Sequence, residues 1–317
     1  MLLLSTLKRS VIANSTGAFR YIVPNRQSSS KRWQARQLKD RFTREAAVQG
    51  LKSRAAFKLL QIDEKYRIFR SGQTVVDLGY APGSWSQVAV DRTQPNGRVL
   101  GVDIIPAQPP RGVSTIQGNF LAPEIQAYIQ EFLRDPNRGR PHYHRSLPDT
   151  ASNAVISQSS VKDSSEKTTQ VYEGSIAYEK FEGAHESNSK IETTVDVVLS
   201  DMSAPWYQTT GFWKRSLSDP HNRMMNTSGV TFKDHAGSMD LCRAALQFSF
   251  NALRTGGHFV CKFYQGAEDK ALERQLKCLF HRVHRLKPDS SRNESKEAYF
   301  IGLERKQYAL KDAVLSP

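Results

Sequence analysis

Polar side chains stand at the ends of three short apolar runs, where Asp103, Asn119 and Asp201 each follow a stretch with the character of a buried strand. Ligands of open α/β sheets bind beyond the carboxyl ends of the strands, so these three side chains would meet at one edge. A carboxylate at residue 103, 24 residues after Gly79, can accept hydrogen bonds from both ribose hydroxyls of a nucleoside. Asn119 could hydrogen-bond an adenine edge, so the pattern indicates a nucleoside pocket.

A glycine-containing loop, residues 77–85, follows the first apolar run and reads Asp-Leu-Gly-Tyr-Ala-Pro-Gly-Ser-Trp. Gly79 and Gly83 would let the backbone approach a ligand closely, since they carry no side chain. The loop lacks the GxGxxG spacing, so it does not indicate the pyrophosphate site of a nicotinamide-dependent oxidoreductase. An ordinary turn flanked by solvated acids is the alternative reading of these residues alone.

The elements that must position these residues alternate along the chain. We predict strands over 74–78, 98–103, 115–119, 195–201, 259–264 and 297–303. We predict helices over 53–66, 124–134, 238–253 and 268–280 and from residue 84, with Gly256 and Gly257 ending the helix over 238–253. Such alternation predicts an α/β fold with an open, mostly parallel sheet covered by helices on both faces.

Composition narrows the class of protein. The chain has 317 residues, 38% of them hydrophobic, which is enough for a large core, and we predict no membrane span. A formal charge of +14 favours a polyanionic partner, most simply nucleic acid. Cys242, Cys261 and Cys278 show no CxxC spacing, so we expect neither disulfides nor zinc and interpret them as small buried side chains.

The first 39 residues contain eight lysines and arginines and no acid. An apolar and basic start followed by serines is typical of a mitochondrial presequence, and we predict localisation in the mitochondrial matrix. A disordered basic RNA-binding arm is the alternative for this segment, and the two readings can overlap. The remaining residues, 40–317, form the predicted catalytic domain.

A low-complexity stretch interrupts that domain. Between Asp149 and Thr194 there are nine serines and no Leu, Met, Trp or Cys. Such a composition cannot bury enough apolar surface to offset the entropy of ordering. We therefore predict a surface insertion over about 135–194, after which the alternation of strands and helices resumes.

Five segments in order resemble the FtsJ/RrmJ-type ribose 2′-O-methyltransferases. They are Ser-Arg-Ala-Ala-Phe-Lys-Leu at 53–59, the loop at 77–87, Ser-Asp-Met at 200–202, Gly-Gly-His-Phe-Val-Cys-Lys at 256–262 and Ser-Arg-Asn-Glu-Ser-Lys-Glu-Ala-Tyr at 291–299. The resemblance covers about residues 50–306 without the insertion, and it implies a Rossmann-like methyltransferase fold with a seven-stranded sheet. With the presequence, it is greatest to fungal mitochondrial members that methylate uridine in large-subunit ribosomal RNA.

The resemblance also implies site residues. The catalytic set would be Lys58, Asp201, Lys262 as general base, and Glu297. The expected S-adenosyl-L-methionine contacts are Gly79, Pro82, Gly83, Ser84, Trp85, Asp103, Asn119 and Asp201. Ser84 replaces a second glycine of the family, and Asn119 replaces an aspartate, which leaves one acceptor for the adenine amino group without the charge.

The chemistry that the family implies requires such residues. An alcohol is a poor nucleophile until its proton is removed, and a lysine removes it only when its ammonium form is disfavoured by desolvation or by a nearby cation. Asp201 and Glu297 would orient the two ammonium groups. Taken alone, Lys262 could instead extend to the surface, as strand lysines commonly do.

Ribosomal RNA or a pre-ribosomal particle is the expected partner of a monomeric enzyme that supports ribosome biogenesis. Candidate RNA contacts are Lys31, Arg36, Lys39, Arg41, Arg44 and Arg54, with stacking by Trp33, Trp206, Tyr207, Trp213 or His221. The histidines show no ligand spacing, and we predict no metal site. A non-catalytic ribosome-assembly factor with this fold is the alternative, and an enzyme acting on transfer RNA or an mRNA cap is a closer one.

Overall fold

The computed structural model of the chain describes residues 40–140, 194–204, 227–228 and 230–315. Its helices are α1 (Arg41–Val48), α2 (Ala55–Tyr66), α3 (Ser84–Thr93), α4 (Pro123–Arg134), α5 (Thr231–Ala252), α6 (Asp269–Leu279) and α7 (Lys311–Leu315). Its strands are β1 (Thr74–Leu78), β2 (Arg98–Asp103), β3 (Val113–Gln117), β4 (Val195–Ser200), β5 (Leu253–Tyr264), β6 (Phe280–Leu286) and β7 (Glu297–Arg305).

The seven strands form one sheet in the order β3-β2-β1-β4-β5-β7-β6. The pairs from β3 across to β5 are parallel, whereas β7 runs antiparallel to both β5 and β6. Since a reversed strand begins where its parallel neighbours end, the first residue of β7 lies at the carboxyl edge of the parallel strands. This sheet is the fold that the family resemblance implied.

Helices cover both faces of the sheet. One face packs on α2 and α3 through buried side chains such as Leu59, Trp85, Val260 and Tyr299. The other packs on α4 to α7 through side chains such as Phe132, Cys242 and Phe300. The central strands β1 and β4 are buried along their whole length, which explains their valine- and leucine-rich sequences.

Several boundaries differ from the sequence predictions. Helix α5 starts at Thr231, seven residues earlier than predicted, and β5 starts at Leu253, so the predicted helix break at Gly256 and Gly257 was wrong. Those glycines lie inside β5, and Gly256 has a φ of +80° beside a register shift against β4. Strand β3 (Val113–Gln117) overlaps its predicted range but begins and ends two residues earlier. The sequence patterns do not predict α1, β6 or α7.

Residues 135–140, the start of the predicted insertion, form a turn tied to the sheet. The Arg98 guanidinium donates to the carbonyl oxygen of Asp135 at 2.6 Å, and Arg140 donates to that of Gly72 at 3.0 Å. Other predictions lie outside the described residues. They are the predicted presequence, the rest of the predicted insertion up to residue 193, and the predicted aromatic contacts Trp33, Trp206, Tyr207, Trp213 and His221.

The cysteine prediction holds for two of three side chains. Cys242 and Cys261 are buried, Cys278 is half-buried, and all three are free thiols. Within the described ranges, no helix is both long and apolar enough to cross a bilayer. Among the same residues, no group of three or more His, Cys, Asp or Glu side chains could hold a metal ion.

Candidate active site

Four charged side chains from four elements converge at the carboxyl edge of the sheet. Lys58 lies on α2, Asp201 directly follows β4, Lys262 lies on β5, and Glu297 begins β7. The Lys58 ammonium is 2.8 Å from a Glu297 oxygen, and the Lys262 ammonium is 3.2 Å from an Asp201 oxygen. Parallel β4 and β5 and reversed β7 thus bring together residues that are far apart in sequence.

The Lys262 ammonium has a defined hydrogen-bond shell. It donates to the main-chain oxygen of Asp201 at 2.7 Å and to the hydroxyl of Ser203 at 2.7 Å, and it forms an ion pair with the Asp201 carboxylate. The residue is only 8% exposed, so its side chain does not extend to the surface. Lys262 therefore points toward the other members of the set, as the family resemblance implied.

Two tyrosines complete this cluster, and the sequence analysis did not identify them. Tyr264 is paired with Glu297 and Lys262 with Tyr299 in the register of β5 and β7. The Tyr299 hydroxyl donates to Asp201 at 3.3 Å, and the Lys58 ammonium lies 5.9 Å from the centre of the Tyr299 ring. Burial raises the pKa of both phenols, and the negative charges of Asp201 and Glu297 raise it further.

The spacing contained a signal for these tyrosines. Strand side chains alternate between the two faces, so Tyr264 shares a face with Lys262, and Tyr299 shares a face with Glu297. Each tyrosine stands two residues after a predicted catalytic residue. A search for same-face neighbours of the predicted lysine and glutamate would have found both.

The electrostatics of Glu297 show that the two ion pairs act on each other. Burial alone would raise the pKa of this carboxyl, but the nearby ammonium groups of Lys58 and Lys262 outweigh it, and the net pKa is lowered. Glu297 is therefore held as a carboxylate at neutral pH. The two lysines are close enough to the same carboxylate to form one charge network.

The glycine loop lies beside this network. Gly79 has a φ of +78°, and a Cβ atom there would come within 2.8 Å of the Met202 backbone. A side chain at residue 79 would therefore displace the segment that carries Asp201. Gly83 also has a positive φ, and a Cβ atom there would meet Pro110 at 2.7 Å. Pro82 is buried between the two glycines and follows a cis peptide bond.

Two further acids border the loop. Asp103 accepts hydrogen bonds from the backbone N–H groups of Ala81 at 2.9 Å and Ile105 at 2.8 Å, one at each oxygen. Burial raises its pKa, although these N–H donors act in the opposite direction. A carboxylate has about four lone-pair positions, so Asp103 retains acceptor capacity for ribose hydroxyls.

Asp77 is fully buried at the end of β1. One of its oxygens accepts the Ser86 hydroxyl at 2.6 Å, and the other, Oδ1, has no hydrogen-bond partner among the described residues. Burial raises its pKa to about 7, and the charges of Asp201 and Asp103 contribute to the rise. A buried oxygen without a partner is costly, which makes Asp77 a candidate contact for a ligand cation.

Three predicted cofactor contacts already have protein partners. The Ser84 hydroxyl lies 2.6 Å from that of Ser53, and the Trp85 indole N–H donates to the Ala55 carbonyl at 2.9 Å. Both side chains thus join α3 to the start of α2, which leaves their backbone N–H groups for a ligand. Asn119 is exposed, and its Oδ1 accepts the N–H of Leu121 at 3.0 Å.

These residues fit an amino-acid nucleoside such as S-adenosylmethionine. No described side chain caps the N-terminus of α3, so its first N–H groups can hold a carboxylate. The unpartnered Oδ1 of Asp77 suits an ammonium group, and Asp103 suits ribose hydroxyls. The edge therefore offers separate positions for each charged end of such a molecule.

An outer cluster joins the N-terminal part of the described domain to the segment that precedes β7. The Asp40 carboxylate caps α1 through the N–H groups of Phe42 and Thr43, and it pairs with Arg54 and Arg292. Arg54, a predicted RNA contact, is thus already engaged by an acid. The predicted contacts Arg41 and Arg44 are exposed on α1, whereas Lys31, Arg36 and Lys39 lie outside the described residues.

Comparison with known proteins assigns the chain to a family by sequence. A family model described as FtsJ-like methyltransferase matches residues 51–305. The chain is 42% identical to the mitochondrial rRNA methyltransferase 2 of Saccharomyces cerevisiae, over 97% of each protein. It is 32% identical to the protein of the same name in Schizosaccharomyces pombe, over 86% of this chain and 95% of that one.

A bacterial relative and one solved structure extend this likeness. The ribosomal RNA large subunit methyltransferase E of Thiobacillus denitrificans is 31% identical over 88% of this chain and 91% of its own. A crystal structure described as a candidate ribosomal RNA methyltransferase of Plasmodium falciparum has a TM-score of 0.51 at 21% identity and covers 80% of this chain and 98% of that one. This structural likeness concerns the fold alone.

Proposed function

The chain belongs to the FtsJ-like methyltransferase family, and we propose that it methylates a ribose 2′-hydroxyl of mitochondrial large-subunit ribosomal RNA. The observation that carries this proposal is the convergence of two lysine–carboxylate pairs beside the glycine loop at the carboxyl edge of the sheet. A family member that had lost catalysis would not require these two buried lysine–carboxylate pairs at this position.

S-adenosylmethionine, when bound, supplies a methyl group on a sulfonium sulfur. We propose that Asp103 holds the ribose hydroxyls of this cofactor and Asn119 its adenine edge. The backbone around Gly79, Pro82 and Gly83 forms the wall of the pocket. The backbone N–H groups of Ser84 and Trp85 at the start of α3 bind the carboxylate of the cofactor. Asp201 faces the positively charged sulfonium–methyl end of the cofactor.

The protein's own residues orient and deprotonate the RNA hydroxyl. Lys58 and Glu297 form one half of the network and hold the target ribose. Lys262 would take the proton of the 2′-hydroxyl as that oxygen bonds to the methyl carbon. The carbon–sulfur bond would break at the same time, and its electron pair would stay on the sulfur of the neutral thioether that leaves. For this step Lys262 must be a neutral amine, so one of its three polar contacts, two hydrogen bonds and an ion pair, is given up first. Holding the reacting groups in line can contribute roughly 7–11 kcal/mol.

The relatives and the sequence support the proposed substrate and compartment. Two fungal relatives that match over most of their length are named mitochondrial rRNA methyltransferases. The acid-free basic start and the charge of +14 agree with import into the matrix and with an RNA partner. We propose that a uridine of the large-subunit RNA is the target and that its methylation supports ribosome assembly.

Mapping ribose methylation across mitochondrial ribosomal RNA, with and without this protein, tests the proposal. We expect one uridine of the large-subunit RNA to lose its 2′-O-methyl group in cells that lack the protein. Purified protein with labelled S-adenosylmethionine should restore the mark on RNA from those cells. If no position changes, and the purified protein binds large-subunit RNA without methylating it, the assembly-factor alternative is correct.

A further inference from the structure

Ser203 contacts Lys262, although the sequence analysis assigned no role to this serine. Its hydroxyl lies 2.7 Å from the Lys262 ammonium and accepts one of its N–H groups. The main-chain oxygen of Asp201 is equally close, at 2.7 Å, whereas the Asp201 carboxylate is at 3.2 Å. Lys262 thus has two short hydrogen bonds and one longer ion-pair contact.

The number of hydrogen-bond donors on a lysine explains why the difference between the short and the long contacts matters. An ammonium group donates three hydrogen bonds and accepts none. A neutral amine keeps two N–H donors and gains a lone pair, so one of the three contacts must be released when Lys262 deprotonates. The long contact is the weakest of the three, and its acceptor oxygen is also shared with the Tyr299 hydroxyl.

Ser203 is placed by backbone contacts and not by Lys262 alone. The N–H of Asp201 donates to the carbonyl of Leu78 at 3.2 Å, which ties the segment to the end of β1. Met202 then lies directly against Gly79, at a distance that leaves no room for a Cβ atom there. The two short acceptors of Lys262 are therefore fixed relative to the glycine loop.

We propose that Ser203 is a positioning residue for Lys262. Its hydroxyl and the Asp201 main-chain oxygen hold two N–H groups in both protonation states of the lysine. The third direction, now occupied by the Asp201 carboxylate, is then where the lone pair faces the RNA hydroxyl. This inference rests on the proposed function, in which Lys262 is the base.

The substitution Ser203→Ala tests this role, with Ser203→Thr as the variant that keeps the hydroxyl. We expect kcat at alkaline pH to fall about tenfold in Ser203→Ala, the equivalent of one hydrogen bond to a charged group. KM for RNA and for S-adenosylmethionine should stay unchanged. The acidic limb of the pH–rate profile should move to lower pH, because the ammonium form has lost an acceptor. Ser203→Thr should restore both properties.

Ser249→Ala is the matched control, since among the described residues that buried hydroxyl bonds only to its own helix, at the Ala245 carbonyl. It should leave kcat and the pH profile unchanged. If the pH profile of Ser203→Ala superposes on that of the parent protein, the positioning role is wrong. Loss of turnover at every pH that Ser203→Thr does not restore would also overturn it. Failure of the parent protein to methylate RNA would instead overturn the proposed function.

Discussion

Buried charged side chains lie both at the edge where the parallel strands begin and at the edge where they end, but their partners differ. At the edge where the parallel strands begin, Arg98 donates to the carbonyls of Leu133 and Asp135, and Asp196 accepts the N–H of Thr74 at 2.7 Å. At the opposite edge, Lys58 and Lys262 are paired with carboxylates, and one Asp77 oxygen has no partner among the described residues. At the starting edge, backbone groups are the main partners of Arg98, and Asp196 binds both a backbone N–H and the Arg254 side chain. At the carboxyl edge, backbone groups also contribute, but each lysine has a carboxylate side chain as a partner.

This difference separates charges that stabilise the fold from charges that can act on a ligand. A backbone carbonyl or N–H group cannot leave without opening a turn, so its partner is fixed. A side-chain partner can turn to a ligand while the backbone stays in place. We therefore expect substitutions at the starting edge to change stability and substitutions at the carboxyl edge to change chemistry.

The largest expected effect is that of Lys262→Ala. Loss of the general base should lower the rate of methyl transfer about 10³-fold, while binding of S-adenosylmethionine is retained. Labelled methyl transfer to RNA measures the first, and calorimetric titration measures the second. Lys270→Ala, which removes an exposed lysine from α6, is the control and should keep the parent rate. Full turnover in Lys262→Ala would remove this residue from the mechanism.

The next effect concerns pH and Asp77. Its folded-state pKa of about 7 is raised above the ordinary value of 3.8, so the native protein holds this proton more tightly than the unfolded chain. The resulting stability is fully present below pH 3.8 and is lost as the pH rises to about 7. Relative to Asp77→Asn, the parent should lose about 1.4 kcal/mol per pH unit in this window, or about 3 kcal/mol between pH 4.5 and 7.

Urea unfolding of both proteins at these two pH values measures that difference. A constant difference between the parent and Asp77→Asn would mean that the buried carboxyl does not titrate in this range. The Asp77 carboxyl would then no longer distinguish the carboxyl edge from the starting edge.

At the starting edge, Asp196→Ala should reduce the free energy of unfolding by about 2 kcal/mol, because a buried N–H of Thr74 loses its acceptor. The rate of methyl transfer per folded molecule should stay within twofold of the parent. Denaturant unfolding and labelled methyl transfer on the same sample separate the two quantities. A large loss of rate with unchanged stability would reverse the roles of the two edges.

The smallest effect is expected for Trp85→Phe, which removes the hydrogen bond to the Ala55 carbonyl and should cost about 1 kcal/mol of stability. Because the indole faces α2, the dissociation constant for S-adenosylmethionine should change less than twofold. Calorimetric titration checks this value. A tenfold weaker affinity would show that the side chain, and not just the backbone N–H, contacts the cofactor.

The sequence was most informative where the core dictates the pattern. Strands β1 and β2 match their predicted ranges because every residue in the first, and nearly every residue in the second, is buried. Strand β6 was missed because Phe280–Leu286 is an edge strand with exposed histidine and arginine residues and lacks a continuous apolar run. Pairing with β7 on one side forms this strand, and local sequence does not encode such a tertiary contact.

The site was predictable only as far as family motifs reach. Lys58, Asp201, Lys262 and Glu297 lie together as the resemblance implied, although their roles remain proposals. The contacts of Ser203, Tyr264 and Tyr299 depend on the register of β5 with β7 and on the turn after β4. The sequence spacing indicates a shared face, but it does not give the distance between two strands that are neighbours only in the folded sheet.

The reversed strand β7 also sets the order in which the site is completed. Glu297 belongs to the last strand of the sheet, yet it stands opposite Lys58 on α2, 239 positions earlier in the chain. As the polypeptide emerges from a ribosome or a translocation pore, Lys58, Asp201 and Lys262 are present before their fourth member. The four-residue set is therefore complete only once this strand has paired with β5 and β6.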